Sequence, residues 1–268
     1  MAYPLGLSGS GETLMAQYQE AAIILKSRPY RESDSLLTLF GQTHGKTGAI
    51  AKGVRKPKSK LQAGLFPLSY VMVELYQGRA SMVTVMGADI VQGFGRMRGD
   101  LTALSWGMVL ADIVDGLWSD HDASPETFQW LIVGFEALSQ GKDPATVGMT
   151  VAWRCLEIAG YAPEWGHCRD CGQAIGHSGP IALSVQEGQA QCKDCASAKD
   201  GFTISLGSFK TWQQWMTLNP SRLGAIEAHG VVYRELFDLL DRYVVAQVGR
   251  RPRSLSFIQS LVTLSNEE

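Results

Sequence analysis

Four of the five cysteines in the chain, Cys168, Cys171, Cys192 and Cys195, stand as C-x2-C, twenty intervening residues, C-x2-C. Each C-x2-C places two thiolates on one tight turn. Two such turns complete a tetrahedral Zn2+ site with metal–sulfur bonds of about 2.3 Å. A disulfide or redox pair is the competing chemistry, but it suits an exported chain. Residues Ala2–Leu14 lack the basic start and long apolar stretch of a signal peptide. One structural zinc is therefore the expectation. Four thiolates leave no open position for water or substrate, so metal catalysis is not expected. The zinc-deaminase signature H-x-E is absent, and so is H-E-x-x-H. His167 and His177 lie near the first pair as outer-shell groups, substitute ligands or bystanders. Cys155, beside Trp153 and Leu156, reads as a buried free thiol.

A second chemistry lies in the cations. Over 268 residues the formal net charge is −2, with 45% apolar and 19% charged residues, an ordinary soluble balance. That total hides an asymmetry. Residues 1–100 hold 12 Lys and Arg against 7 Asp and Glu, whereas residues 101–268 hold 12 against 19. Between Ser35 and Val73 there is no acidic residue, and this stretch carries Lys46, Lys52, Arg55, Lys56, Lys58 and Lys60. Such a run fits a phosphate backbone. Its competing role is a solvated loop that keeps an edge strand from pairing with other chains. Arg28, Arg31 and Arg79 are secondary candidates in the barrel turns, with Arg31 also able to pair with Glu32 or Asp34. Arg250, Arg251 and Arg253 form the other dense cluster. Tyr30 and Tyr76 are candidates for base stacking, with a core position as the alternative.

One motif is a decoy. Gly41-Gln42-Thr43-His44-Gly45-Lys46-Thr47 looks like a phosphate loop, yet it has three residues between its glycines where a Walker loop has four. The next segment, Gly48–Val54, reads as a strand, so the helix N-terminus that phosphates require is missing. No nucleotide is expected; the segment reads as a hairpin projecting Lys46 at a sheet edge.

These residues need elements to hold them. Residues 1–16 are Gly- and Ser-rich and read as a disordered leader, with Met15 a candidate natural start. Short apolar runs at 21–26, 36–40, 49–54, 70–76 and 81–86, separated by Gly-containing turns, predict five strands. A five-stranded barrel of the OB type has that strand count. After Gly99 the period turns helical. Leu101, Leu104, Met108, Ala111 and Val114 share one predicted face. Ser124-Pro125 and Asp143-Pro144 are two helix starts, each a side-chain cap followed by proline. Further helices are predicted at 206–218, 231–248 and 255–264, with Leu236, Leu239, Leu240, Tyr243 and Val244 on a buried face. Between the cysteine pairs, 183–185 and 189–191 predict a zinc-ribbon hairpin turning at Gly188. The fold class is α+β. An OB-type domain spans 17–97, and a helical domain spans 98–166 and 197–268 with a four-cysteine finger at 167–196 inserted. No apolar run approaches the ~20 residues of a membrane helix.

With these elements in place, the chain resembles the RecO family of bacterial recombination mediators, in its zinc-containing branch. The likeness rests on Glu20–Leu25 running into Arg28-Pro29-Tyr30-Arg31-Glu32-Ser33-Asp34, and on Leu36–Phe40 with Gly45-Lys46. It continues through Ala51-Lys52-Gly53-Val54-Arg55, Lys58-Ser59, the cysteine pairs and Arg242–Gly249. It covers about 17–264; the leader departs from the pattern. The resemblance implies a non-enzymatic DNA repair function: binding and annealing single strands and helping to load RecA. It implies RecR and the C-terminal tail of the single-stranded DNA-binding protein as partners, single- and double-stranded DNA as ligands, and a cytoplasmic, nucleoid-associated location. For the acidic tail, Arg154, Lys210, Trp212 and Trp215 are candidates, with burial in the core the alternative for both tryptophans. The rival function is a zinc-ribbon interaction scaffold without direct annealing.

Overall fold

The computed structural model describes residues 16–59, 61, 64–175, 179–196 and 201–265. The proposed leader up to Met15, together with Lys60 and His177, lies outside them. Five strands come first: β1 (Ala16–Tyr30), β2 (Asp34–Gly41), β3 (Gly45–Ala51), β4 (Tyr70–Gln77) and β5 (Val83–Gln92). They pair in the order β1-β2-β3-β5-β4, and β4 returns to β1. The β3–β5 step is a short parallel pairing, Ala49 with Val83 and Ile50 with Thr84. The N-terminal domain is thus the OB-type unit expected. Strand β1 outruns the apolar segment at 21–26 because two partners share it: Ala16–Ile23 pairs with β4, and Ala22–Tyr30 pairs with β2. Backbone pairing carries polar ends that no hydrophobic pattern reveals.

The barrel strands serve two cores. Ala22, Ile24, Leu37, Leu39, Val71 and Val73 fill the barrel interior. Ile23, Leu25 and Phe40 point the other way and join the core of the helical domain. Period-2 alternation with both faces buried explains why this stretch of β1 reads as a continuous apolar run.

Seven α-helices follow among the described residues: α1 (Gly95–Gly99), α2 (Leu101–Leu117), α3 (Pro125–Ser139), α4 (Pro144–Ile158), α5 (Leu206–Met216), α6 (Gly230–Val248) and α7 (Arg253–Ser265). The two predicted caps are present: Ser124 Oγ accepts from the Thr127 amide at 3.3 Å and Asp143 Oδ1 from Thr146 at 2.7 Å. The expected buried face on α6 is buried throughout. The face predicted for α2 needs correction. Leu101 is exposed, and the helix buries Trp106, Val109, Leu110 and Ile113 as well as Ala111 and Val114. As the central helix it meets β1, α3, α4, α6 and α7, so burial extends around it rather than along a stripe.

Helices α2 and α4 approach closely at Gly148, where an added Cβ would lie 2.1 Å from the Trp106 ring. Trp106 is fully buried and has no room to retreat. Gly148→Ala is therefore expected to destabilise the protein by about 2 kcal/mol, the overpacking cost exceeding the helix-propensity gain. Thermal denaturation checks this; an unchanged or raised midpoint would contradict the close-packing account.

Between α4 and α5 sits a small sheet in the order β7-β6-β8, made of β6 (Ile181–Ser184), β7 (Gln189–Gln191) and β8 (Gly201–Ile204). The hairpin is the one predicted. Its third strand lies beyond residue 196, where the finger was expected to end, and Gly201–Ile204 pairs with Ser184–Ile181.

Candidate nucleic-acid interface and metal centre

The sulfurs of Cys168, Cys171, Cys192 and Cys195 all lie within 4.8 Å of one another. A tetrahedron of sulfurs around an ion at about 2.3 Å has edges of about 3.8 Å. Cys171 and Cys192 stand 3.8 Å apart. Turns that admit left-handed backbone hold the ligands in place, at Gly172 (φ 72°) and at Gly188 of the hairpin (φ 68°). Backbone amides of Cys192 and Cys171 are directed at the Cys168 sulfur and lower that thiol to about 6. The neighbouring thiols of Cys192 and Cys171 push Cys195 up instead. Four sulfurs this close can all ionise only around a cation. The donor set therefore suits a four-coordinate thiolate-binding metal. His167 is exposed and outside this cluster.

The finger is seated on the helical domain through aromatics. Trp165, just before the first pair, packs on Phe209 and Trp212 of α5 at ring-centre distances of 5.2 and 5.4 Å. Trp212 and Trp215 are buried, so the core alternative holds for both. Arg154 lies over the Trp130 ring, pairs with Glu157 and donates to the Met216 carbonyl. Arg154 and the two tryptophans are thus part of a packed junction, while Lys210 is exposed. Cys155 is fully buried, which pushes its thiol up to about 12.

The basic loop between β3 and β4 has an anchored base and exposed side chains. Gly53 donates its amide to Asp34 Oδ1 at 2.8 Å, and Arg55 donates its amide to the Ser33 carbonyl at 2.9 Å. Asp34 is thereby occupied with the loop backbone, while Arg31 lies over the Tyr30 ring at 5.2 Å. Lys52, Arg55, Lys56 and Lys58 are exposed, and none has a carboxylate within ion-pair distance among the described residues. Arg28, Arg79 and Tyr30 are likewise exposed.

Lys46 differs from the expectation of a projecting cation. Its side chain is only 14% exposed; it donates to the Asp115 carbonyl at 2.7 Å and stands 3.6 Å from the Asp115 carboxylate. The cause is the α2–α3 linker, which crosses the β2–β3 turn: the His121 amide donates to the Lys46 carbonyl at 2.7 Å. Gly45 permits this crossing. At φ 66° it takes a left-handed turn, and an added Cβ would sit 2.2 Å from the Asp122 carbonyl oxygen. The segment that mimics a phosphate loop is a hairpin clamped under a linker, and Lys46 enters a strand.

Arg250, Arg251 and Arg253 of the second cluster are all exposed, and Arg251 makes a bidentate pair with Asp241 at 2.7 and 2.8 Å. Arg250 reaches Asp115 at 3.5 Å. Lys26 of β1 joins them, at 2.9 Å from Asp112 and 2.7 Å from Asp115. Sequence reasoning did not single out Lys26, Asp112 or Asp115. The i,i+3 spacing of the two aspartates on one helix is a visible signal; their strand partner, far away in the chain, is not.

Among the described residues, no helix is long and apolar enough to cross a membrane. A family model described as Recombination protein O N terminal matches residues 15–94, and one described as Recombination protein O C terminal matches residues 98–256. The chain is 34% identical over 245 residues to the DNA repair protein RecO of Moorella thermoacetica, covering 91% of each. It is 32% identical over 258 residues to the DNA repair protein RecO of Heliobacterium modesticaldum, covering 95% of this chain and 93% of that one.

Proposed function

Because this chain belongs to the RecO family of DNA repair proteins, we propose that it is a recombination mediator. In this reading it binds single strands, anneals complementary ones, and helps load RecA on strands covered by single-stranded DNA-binding protein. The observation that carries the reading is the row of exposed, unneutralised cations Lys52, Arg55, Lys56 and Lys58 on an anchored loop of the barrel. Phosphates displace counterions from such a surface without any sequence readout, as annealing of arbitrary strands demands. Arg28 and Arg31 extend it along the β1–β2 turn, Arg79 is a further exposed cation in the β4–β5 turn at the other end of the barrel, and Tyr30 offers a ring to an unstacked base. Lys60 belongs to the same run by sequence. The mediator does no covalent chemistry and works in the cytoplasm, at the nucleoid.

The ion proposed for the four cysteines is one zinc, which suits four thiolates with no vacant position and acts as a structural tie. RecR and the acidic tail of the single-stranded DNA-binding protein are the proposed protein partners, with duplex DNA as a further ligand. The experiment is strand annealing on DNA coated with its binding protein. The protein is expected to accelerate annealing, and to lose that activity when the basic loop is charge-reversed. Coated strands that anneal no faster with the protein, and a single strand bound with no dependence on salt, would favour the scaffold function instead.

A further inference from the structure

On the outward face of β2 and β3, where OB-type barrels receive oligonucleotides, the helical domain does not cover everything. A cleft of about 360 Å³ remains, lined by Lys26, Arg28, Lys46, Arg250, Asp115 and Asp120 together with Leu36, Thr38 and Met82. A second cleft of about 510 Å³ adjoins it through Lys26 and Arg250 and brings in Arg253 and Asp112. Neither includes any residue of the basic loop. Cations outnumber acids here, but they are not idle. Asp115 alone stands within 4 Å of three of them: Lys26, Lys46 and Arg250. Burial would push the Asp115 carboxyl up, yet Lys26, Lys46 and Arg250 hold it below the usual carboxylate value, so it stays charged. A carboxylate surrounded by three cations in a cleft occupies the place a phosphate would take.

We propose that this cleft is a phosphodiester-binding site separate from the basic loop, and that Asp115 is its built-in competitor. The ligand is a nucleic-acid strand, so the proposal rests on the DNA-binding function proposed for the chain. A strand entering the cleft exchanges the Asp115 contacts of Lys26, Lys46 and Arg250 for contacts to phosphate. Arg28 and Arg253, which are not tied to Asp115, provide the entry contacts at either end. The competition makes the cleft a weak site beside the loop. Weak holding at one of two sites is what annealing needs, since a strand must be released into the duplex.

The test is a titration of the full chain with a fluorescent oligothymidylate across a salt series, and the affinity followed is that of the second, weaker binding step, which the cleft supplies beside the loop. Asp115→Asn keeps the shape and frees the cations; it is expected to tighten binding about five-fold near 0.1 M salt and to steepen the salt slope by about 0.7, one phosphate contact. Asp120→Asn removes the same charge from the same cleft without releasing a cation, and is expected to change little. Arg250→Ala with Arg253→Ala, both exposed, is expected to weaken binding about 20-fold and flatten the slope by about 1.4. Equal tightening in the two aspartate variants, or an unchanged slope in the arginine variant, overturns the proposal. Melting temperatures are measured alongside; should Asp115→Asn unfold, the arginine variant decides alone. A wild-type chain that binds no strand refutes the DNA reading itself. Wild-type binding that loop charge reversal abolishes and the arginine substitutions leave unchanged refutes only the cleft.

Discussion

Reversing Arg55, Lys56 and Lys58 to glutamate is expected to weaken single-strand binding at least 100-fold near 0.1 M salt and to abolish annealing. The magnitude comes from counterion release: each phosphate contact on a single strand contributes about 0.7 to the salt slope, hence about 0.7 decades at 0.1 M, and three are lost. The introduced carboxylates add repulsion to that loss. Folding should be untouched. The three side chains are exposed, and the loop is held by backbone bonds, Arg55 to Ser33, Lys56 to Gly53 and Ser59 to Lys56, that the substitutions leave in place. Exposed substitutions of this sort usually stay within about 0.5 kcal/mol. A slope flatter by about 2 with an unchanged melting temperature is the signature sought. A variant that binds with the wild-type slope would show that phosphates lie elsewhere on the barrel.

The loop is legible from sequence because composition alone marks it: acids are absent over a long stretch and cations are dense. Neither property depends on tertiary structure. Lys46 belongs to the same composition yet behaves differently, since the linker carrying His121 and Asp122 folds over its turn and α2 delivers Asp115 to its ammonium. Sequence shows the charge of a lysine; only the fold shows which acid reaches it. The second cluster repeats the lesson: all three arginines are exposed, yet Asp241 engages Arg251, Asp115 reaches Arg250, and Arg253 has no carboxylate within ion-pair distance among the described residues.

For the fold, period and turn chemistry carry most of the reading. Proline after a capping Ser or Asp marks α3 and α4 because those residues act locally on the helix's own amides. Strand β8 escapes sequence reasoning for the opposite reason. Gly201–Ile204 is four residues long, too short for a pattern, and is a strand only because Ile181–Ser184 accepts it as a partner. Spacing assigns Leu101 to the buried face, but it sits in the first turn of α2, beyond the reach of the neighbouring helices. A hydrophobic period identifies a face and says nothing about where its cover ends.

Chelating the zinc proposed for the four cysteines, or replacing Cys192 with serine, is expected to unfold the ligand turns of the finger while leaving the barrel and the single-strand affinity proposed for it intact. The wild-type chain should carry one equivalent of zinc, and Cys192→Ser little or none. The sheet, with strands of 4, 3 and 4 residues, is held by Ile181, Leu183, Ala190 and Ile204 in the core it shares with the helices, whereas the turns that carry the ligands lack that support. Cys171 is exposed and two of the other three sulfurs are half-buried, so hydrophobic burial adds little at the ligand turns. Coordination of the proposed zinc would supply the deficit, since structural zinc in small fingers contributes on the order of 10 kcal/mol to folding. The loss is expected to be local because the finger rests on α5 and α6, through Trp165 on Trp212 and Arg242 over Phe202. The basic loop, by contrast, is anchored to the β1–β2 turn. Trp165 is 7% exposed and would enter water when its turn dissolves, so tryptophan emission should shift to longer wavelength on chelation and return on adding zinc. Emission and metal content moving together, with single-strand affinity constant, is the expected result. Full metal loading in Cys192→Ser would count against a four-cysteine centre. Loss of DNA binding along with the metal would mean that the finger supports the barrel, contrary to its seating on α5 and α6.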